Sequence, residues 1–207
     1  MKIIVCIKQV PDTTEVKLDP KTGRLIRDGV PSIINPDDKN ALEEALRIKD
    51  ENPDTTVTVV SMGPPQADVA MREALAMGAD EAILISGREF GGSDTWATSY
   101  IIATAIKKIP DYDIIFCGRQ AIDGDTAQVG PQIAEQLNIP QITYVQKLDI
   151  EGDKVIVQRQ LEDGYTVVEA KMPVLLTAIK ELNTPRYMTP KGIFEAYNKT
   201  VQVWGFN

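Results

Sequence analysis

Five short apolar, β-branched runs recur along the chain, at Ile3 to Ile7, Thr56 to Ser61, Ala82 to Ser86, Ile114 to Cys117 and Val174 to Ala178. Runs of this length without polar alternation are expected of strands covered on both faces. Between them the period becomes helical. Asn35 offers an N-cap ahead of Pro36, with Leu42, Ala45, Leu46 and Lys49 at helical spacing; the fixed φ and missing N–H of proline suit a first helical position. A second helix is predicted from about Gln66, with Met71, Ala74 and Leu75 on one face, ending at Gly78 because glycine readily takes a left-handed cap. A third spans Thr95 to Lys108. Parallel strands need crossovers, so the alternation predicts an α/β fold: a doubly wound, mostly parallel sheet with helices on both faces and ligands beyond the strands' carboxyl ends. Two inserted hairpins break the pattern. One places Val16-Lys17-Leu18 and Arg24-Leu25-Ile26 around Asp19 to Gly23, and the other places Lys154 to Gln160 and Tyr165 to Lys171 around Glu162-Asp163-Gly164.

The chain has 207 residues, enough for one globular domain (1–182) with an appendage (183–207). Its formal charge of −8 argues against nucleic acid or anionic lipid as the main ligand. No run approaches the roughly 18 apolar residues of a membrane span. The apolar stretch within residues 1–10 lacks a small-residue cleavage site, which points to the cytoplasm. Cys6 and Cys117 show no paired spacing and read as buried reduced thiols. There is no histidine, which removes the imidazole-based triads and the usual proton shuttle. Any chemistry then belongs to a cofactor, while the chain supplies binding and orientation.

The segment richest in chemistry runs from Gly118 through Arg119, Gln120, Ala121, Ile122, Asp123, Gly124, Asp125, Thr126, Ala127, Gln128, Val129 and Gly130 to Pro131, directly after a strand. A helix is predicted to begin near Gly130, leaving free amides over Ala127 to Val129 that favour a diphosphate, with Thr126 and Gln128 adding side-chain partners. Asp123 and Asp125 would repel phosphate and suit ribose hydroxyls or helix capping. A plain β-to-α turn is the alternative. A second loop, Phe90-Gly91-Gly92-Ser93-Asp94-Thr95, follows another strand, and its paired glycines permit close backbone approach. Ser93-Asp94 stands where a P-loop needs Lys and Ser or Thr, which excludes a Walker site. The loop is also similar to the S-G-G-x-D-S loop of ATP pyrophosphatases, with Phe90 and Thr95 in place of its serines; a flexible helix start capped by Ser93 or Asp94 explains it equally. The G-x-G-x-x-G dinucleotide fingerprint is missing. Ser61-Met62-Gly63-Pro64-Pro65 and Asn35-Pro36-Asp37-Asp38 are further strand-end and helix-start positions, each of which can equally be a plain turn.

Taken in order, Val5-Cys6-Ile7-Lys8-Gln9-Val10, Asn35-Pro36, Ser61-Met62-Gly63-Pro64, Ala74 to Asp80, Gln120-Ala121-Ile122-Asp123 and Arg159-Gln160-Leu161-Glu162-Asp163-Gly164 resemble the β subunit of electron-transfer flavoproteins over the whole chain. The resemblance implies an adenine-nucleotide-binding α/β domain paired with an α subunit. It places the nucleotide against Cys6, Ile7, Lys8, Asn35, Asp37, Asp38, Ser61, Met62, Gly63 and the two loops above. Asp123 to Gly130 together with Phe90 to Thr95 are most similar to the electron-bifurcating subgroup, which implies FAD in that site; non-bifurcating members hold AMP there. NADH is then the electron donor, with ferredoxin and an acyl-CoA or similar flavin dehydrogenase as acceptors. Family members continue beyond the point where this chain stops, so residues 183–207 are expected to hold a recognition loop and the start of a shortened C-terminal arm. Two prolines and a glycine disfavour a regular element over Asn183 to Phe194, which is expected to protrude as a loop. Arg186, Tyr187, Met188, Pro190 and Ile193 are its candidate contacts with the dehydrogenase; the alternative is that they tuck back onto the sheet. A plain ATP- or AMP-binding module and a purely structural scaffold are the competing functions.

Overall fold

Every one of the five apolar runs is a strand of one sheet, because burial on both faces favours β-branched and apolar side chains, with only Thr58, Ser61 and Thr177 as buried hydroxyls among them. The computed structural model describes residues 1–12 and 31–206. In chain order these strands are β1 (Lys2–Cys6), β4 (Thr56–Met62), β5 (Glu81–Ile85), β6 (Ile114–Gly118) and β10 (Val174–Ala178). A small antiparallel pair, β2 (Gln9–Pro11) and β3 (Ser32–Ile34), separates β1 from the first helix. The helices are α1 (Pro36–Glu51), α2 (Asp68–Met77), α3 (Thr95–Ile106), α4 (Val129–Leu137) and α5 (Pro190–Asn198). Three long strands, β7 (Gln141–Glu151), β8 (Lys154–Leu161) and β9 (Gly164–Lys171), form a meander, and β11 (Val201–Trp204) comes last.

The main sheet has the order β11-β5-β4-β1-β6-β10-β7-β8-β9. It is parallel from β11 to β7, and β7, β8 and β9 pair antiparallel. Alternate residues of each strand serve opposite faces. Ile3, Val5, Val57 and Val59 pack under α1 and α2 through Leu42, Leu46, Met71 and Leu75, whereas Ile4, Val60, Ile83 and Ile115 pack under α3 and α4 through Ile102, Ile106 and Ile133. The sheet is therefore doubly wound. Each fully buried side chain of this size contributes about 1.5–3 kcal/mol. No helix among the described residues is long and apolar enough to cross a membrane.

The helix punctuation follows the expected chemistry. Pro36 is the first residue of α1, and Gly78 ends α2 with φ +133. Asp94 caps α3, its Oδ1 accepting from the Ala97 N–H at 2.8 Å. Helix α4 begins at Val129, so Pro131 lies in the first turn, where N–H groups have no intrahelical partner.

Several expectations need correction. Asn35 occupies the N-cap position but makes no side-chain cap. The hairpin expected over Val16 to Asp28 lies outside the described residues. The second hairpin exists, as β8 and β9, but hangs on β7, whose half-exposed alternation gave no apolar run. The segment Asn183 to Phe194 is irregular only as far as Thr189, where α5 begins. Pro190 is tolerated at the first helical position, and Thr189 Oγ1 accepts from the Gly192 N–H at 3.0 Å. Glycine is needed at 192 because a Cβ there would strike the Ala76 carbonyl oxygen of α2. Residues 201–204, within the stretch 183–207, pair with β5 along the sheet edge.

Candidate functional site

From β1 the chain winds outward through β4 and β5, then returns across β1 to place β6 on its other side. The loops leaving β1 and β6 therefore diverge, and a crevice opens at their carboxyl ends. A cleft of about 1180 Å³ occupies it. Its walls are Cys6, Ile7 and Lys8 after β1, Met62 and Gly63 after β4, Phe90 to Thr95 before α3, and Gly118 to Ala121 with Gly124 to Gly130 between β6 and α4. Asp38 also reaches the cleft. Asn35, Asp37, Ser61 and Asp123 do not line it. Ser61 is buried within β4 with its Oγ unpaired, and Asn35 is wholly buried beneath the loop. Asp37 turns to Arg119, its Oδ2 lying 3.4 Å from Nε as a charge contact without a hydrogen bond. Asp123 is held by Lys8, with Nζ to Oδ1 at 2.6 Å. The cleft also takes in Pro64 and Pro65 of the strand-end segment after β4, and residues that the sequence reading missed: Ser86, Gly87, Arg88 and Val203. Ser86-Gly87-Arg88 directly follow β5 and could have been found by the strand-end rule; Val203 comes from β11 and carries no local signal.

The loop before α4 is shaped for an anion. Asp125 and Ala127 have φ +51 and +52 without being glycines, a conformation that costs free energy and persists where surroundings enforce it. Gln128 returns to the right-handed region. Such alternation turns successive N–H groups toward one side, forming an anion-accepting concavity. Among the described residues, the amides of Thr126, Ala127 and Gln128 donate to no protein acceptor. The start of α4 directly behind them adds the positive end of its dipole. Repulsion from the neighbouring carboxylates is reduced, because Lys8 pairs with Asp123 and Gln120 Nε2 donates to Asp125 Oδ1 at 2.9 Å. Across the cleft the start of α3 is tied to this loop, with Thr95 Oγ1 donating to Gln128 Oε1 at 3.2 Å.

Beneath the loops lies a buried polar layer. The Asp38 carboxylate accepts from the Lys8 N–H at 2.8 Å and from the Gly118 N–H at 2.9 Å. Burial pushes its pKa up to about 7, against the pull of the Lys8 amide, the Asn35 side chain and the Gly118 amide. Asn35 Nδ2 donates to the Gln120 carbonyl at 2.8 Å, while its Oδ1 accepts from the Ile122 N–H at 3.0 Å. Burial also raises Asp37, with Arg119 opposing. Cys6 and Cys117 sit side by side at the cleft floor, and their contact and burial push the Cys117 thiol upward.

Farther along α1, Glu43 and Asp50 hold Arg186, with Nε to Glu43 Oε2 at 2.9 Å and Nη2 to Asp50 Oδ2 at 2.7 Å. Asn183 Nδ2 donates to Glu44 Oε2 at 2.8 Å. These bonds fix the base of the segment whose tip carries exposed side chains at Tyr187, Met188, Ile193 and Phe194.

Fold and site together define a doubly wound α/β protein with a cleft at its switch point, one wall of which carries unpaired backbone amides. The comparisons with known proteins are specific: the electron transfer flavoprotein domain matches residues 22–206. The chain is 70% identical over 199 residues to the electron transfer flavoprotein subunit beta of Thermoanaerobacterium thermosaccharolyticum, covering 96% of this chain and 76% of that protein. It is 63% identical over 204 residues to the caffeyl-CoA reductase-Etf complex subunit CarD of Acetobacterium woodii, covering 99% and 78%. To the acryloyl-CoA reductase electron transfer subunit gamma of Anaerotignum propionicum it is 56% identical over 207 residues, covering 98% and 77%. The chain belongs to the electron transfer flavoprotein family, as a β subunit, and its role is electron transfer.

Proposed function

We infer that the cleft binds FAD and that the chain, paired with an α subunit, passes electrons from NADH to ferredoxin and to an acyl-CoA or similar flavin dehydrogenase, in the bifurcating manner. One observation carries this reading. The free amides of Thr126 to Gln128 would suit a diphosphate, and the cleft continues from there past Lys8 to Phe90–Thr95. At about 1180 Å³ it exceeds the about 300–1,000 Å³ common for ligand pockets and has room for a dinucleotide. In this reading the Thr126 hydroxyl and Gln128 amide support the diphosphate, and Asp125 a ribose hydroxyl. Gly91 and Gly92 allow a ring system to approach backbone at the far end. Bound flavin would supply hydride acceptance and one-electron transfer; the chain binds it, orients it and limits the access of water. The names of CarD and of the Anaerotignum subunit support an enoyl-CoA reductase type of partner. Residues 183–207 serve partner recognition, with Arg186 holding the base and Tyr187, Met188, Pro190 and Ile193 presented outward. The protein works in the cytoplasm.

AMP is the second reading, because the amide concavity by itself suits a single phosphate. The two are separated by extracting nucleotide from the purified heterodimer. Two FAD for each heterodimer are expected; one FAD with one AMP moves the chain to the non-bifurcating class. A colourless preparation that releases pyrophosphate from ATP overturns both.

A further inference from the structure

We propose that Asn35 and Asp38, at the start of α1, are positioning residues: they brace the two diverging rims of the cleft in the conformation that a nucleotide requires and donate nothing to the nucleotide themselves. This rests on the nucleotide reading above. The need for a brace follows from topology. The β1–β6 ladder pairs Ile3, Ile4 and Val5 with Ile114, Ile115 and Phe116 and goes no farther, because the crevice opens there. Beyond it the N–H groups of Lys8 and Gly118 lose the acceptors that a continued ladder would provide, and a buried donor without a partner is costly. The Asp38 carboxylate stands between them and gives one oxygen to each, Oδ2 to Lys8 at 2.8 Å and Oδ1 to Gly118 at 2.9 Å. Residue 118 must be glycine for this approach, since a Cβ would strike Asp38 Oδ1.

One turn earlier the demand differs, and so does the side chain. The loop after Arg119 presents an acceptor, the Gln120 carbonyl, and a donor, the Ile122 N–H. The Asn35 carboxamide meets both, donating at 2.8 Å and accepting at 3.0 Å. Two donors call for a carboxylate; one donor and one acceptor call for a carboxamide. Asn35 is wholly buried and Asp38 nearly so, which leaves solvent a poor substitute for either side chain. This pairing also explains why an ionisable group is retained in a place where burial raises its pKa.

The match makes a sharp test. Asp38→Asn keeps the shape but replaces one acceptor with a donor facing an N–H, and Asn35→Asp keeps the acceptor for Ile122 but loses the donor to Gln120. Each variant chain is co-purified with its α subunit and dialysed free of nucleotide. Amide hydrogen exchange is then read by mass spectrometry, and FAD and AMP are titrated separately. Exchange at Lys8 and Gly118 should quicken in Asp38→Asn, and exchange at Ile122 should quicken in Asn35→Asp. In each variant the affinity for the nucleotide bound by wild type should fall about tenfold, roughly one lost buried hydrogen bond. Loss of affinity with unchanged exchange would mean that these side chains touch the nucleotide directly, and overturns the proposal. Faster exchange with unchanged affinity overturns it equally. If Asp38→Asn fails to assemble, the Asn35→Asp measurement decides alone. Wild type that takes up neither FAD nor AMP refutes the nucleotide reading, a failure recognisable because the exchange pattern is measured without nucleotide.

Discussion

Replacing Arg186 with alanine should loosen the whole segment that follows β10, and the size of the effect can be worked from its partners. Glu43 accepts from the Arg186 backbone N–H at 3.0 Å, from Nε at 2.9 Å and from Nη2 at 3.0 Å. Its side chain is only 6% exposed, whereas that of Arg186 is 31% exposed and that of Asp50 is 62% exposed. Removing one member of a fully buried pair costs about 3–5 kcal/mol, and an exposed pair contributes about 0.2–1 kcal/mol. The Asp50 contact belongs to the exposed class. The Glu43 contact lies between the two, because water reaches the guanidinium but hardly reaches the carboxylate. A loss of about 2 kcal/mol follows, roughly a thirtyfold change in the folding equilibrium. Urea denaturation of wild type, Arg186→Ala, Glu43→Gln and the double variant gives the coupling directly, and about 1 kcal/mol or more is expected between the two sites. A stability change under 0.5 kcal/mol, accompanied by slower electron delivery to the dehydrogenase, would refute this reasoning and give the guanidinium to the partner instead.

Thr126→Glu should weaken retention of nucleotide by adding negative charge beside the free amides of the concavity, and nucleotide content after gel filtration measures it; unchanged content refutes the placement. Gly192→Ala should push α5 off α2, because its Cβ meets the Ala76 carbonyl, with a loss of about 1–3 kcal/mol in thermal or urea unfolding; equal stability would show that the helices separate freely. Burial lifts the Asp38 pKa to about 7 from an ordinary 3.8, because the cost of burying the carboxylate outweighs the pull of its amide donors, so native-state stability falls as pH rises from the lower value through the higher one. Urea midpoints taken between those limits should therefore fall less steeply in Asp38→Asn than in wild type, with Asp37 and Glu44 contributing the slope that remains; parallel profiles would exclude Asp38 as a source. Changing Met188, Pro190 and Ile193 to serine should lower electron delivery to the dehydrogenase while flavin content and NADH-dependent dye reduction persist, whereas loss of flavin would show that the segment supports the fold.

What the sequence disclosed depended on whether the cause of a structure was local. Strands β1, β4, β5, β6 and β10 are buried on both faces, so their own composition announces them. Helices α1, α2 and α3 carry their start and stop residues within themselves. Strand β7 was missed because Gln141, Gln146 and Lys147 interrupt it, and its strand character comes from pairing with β8 and β10. Strand β11 is only Val201 to Trp204, and it exists because β5 offers an unpaired edge. Helix α5 was missed for a different reason. Pro190 and Gly192 were weighed as helix breakers, when one is a starter and the other a point of close approach to α2. Only the position of Ala76 distinguishes these meanings, and Ala76 lies more than a hundred residues away.

The same division separates the cleft's walls from its supports. The walls were legible because a loop at the end of a buried strand is exposed to ligand wherever the sheet is doubly wound, and glycines there betray close approach. The supports were not. Asp38, Asn40, Glu43 and Glu44 are buried along α1, although charged and amide side chains on a helix normally mark its solvated face. Their partners are the Lys8 and Gly118 amides and the Asn183 and Arg186 groups, brought to the helix by strands from both halves of the sheet. A carboxylate near a helix start reads equally well as a cap, a ribose ligand or a brace, since each uses the same lone pairs. What selects among them is the set of donors facing the carboxylate, and those donors are orphaned only because β1 and β6 stop pairing at Val5 and Phe116. A buried acid at this place is therefore a consequence of the crevice: the topology that opens a site for ligand also strips two amides of their partners, and the helix packed beneath must supply the acceptors.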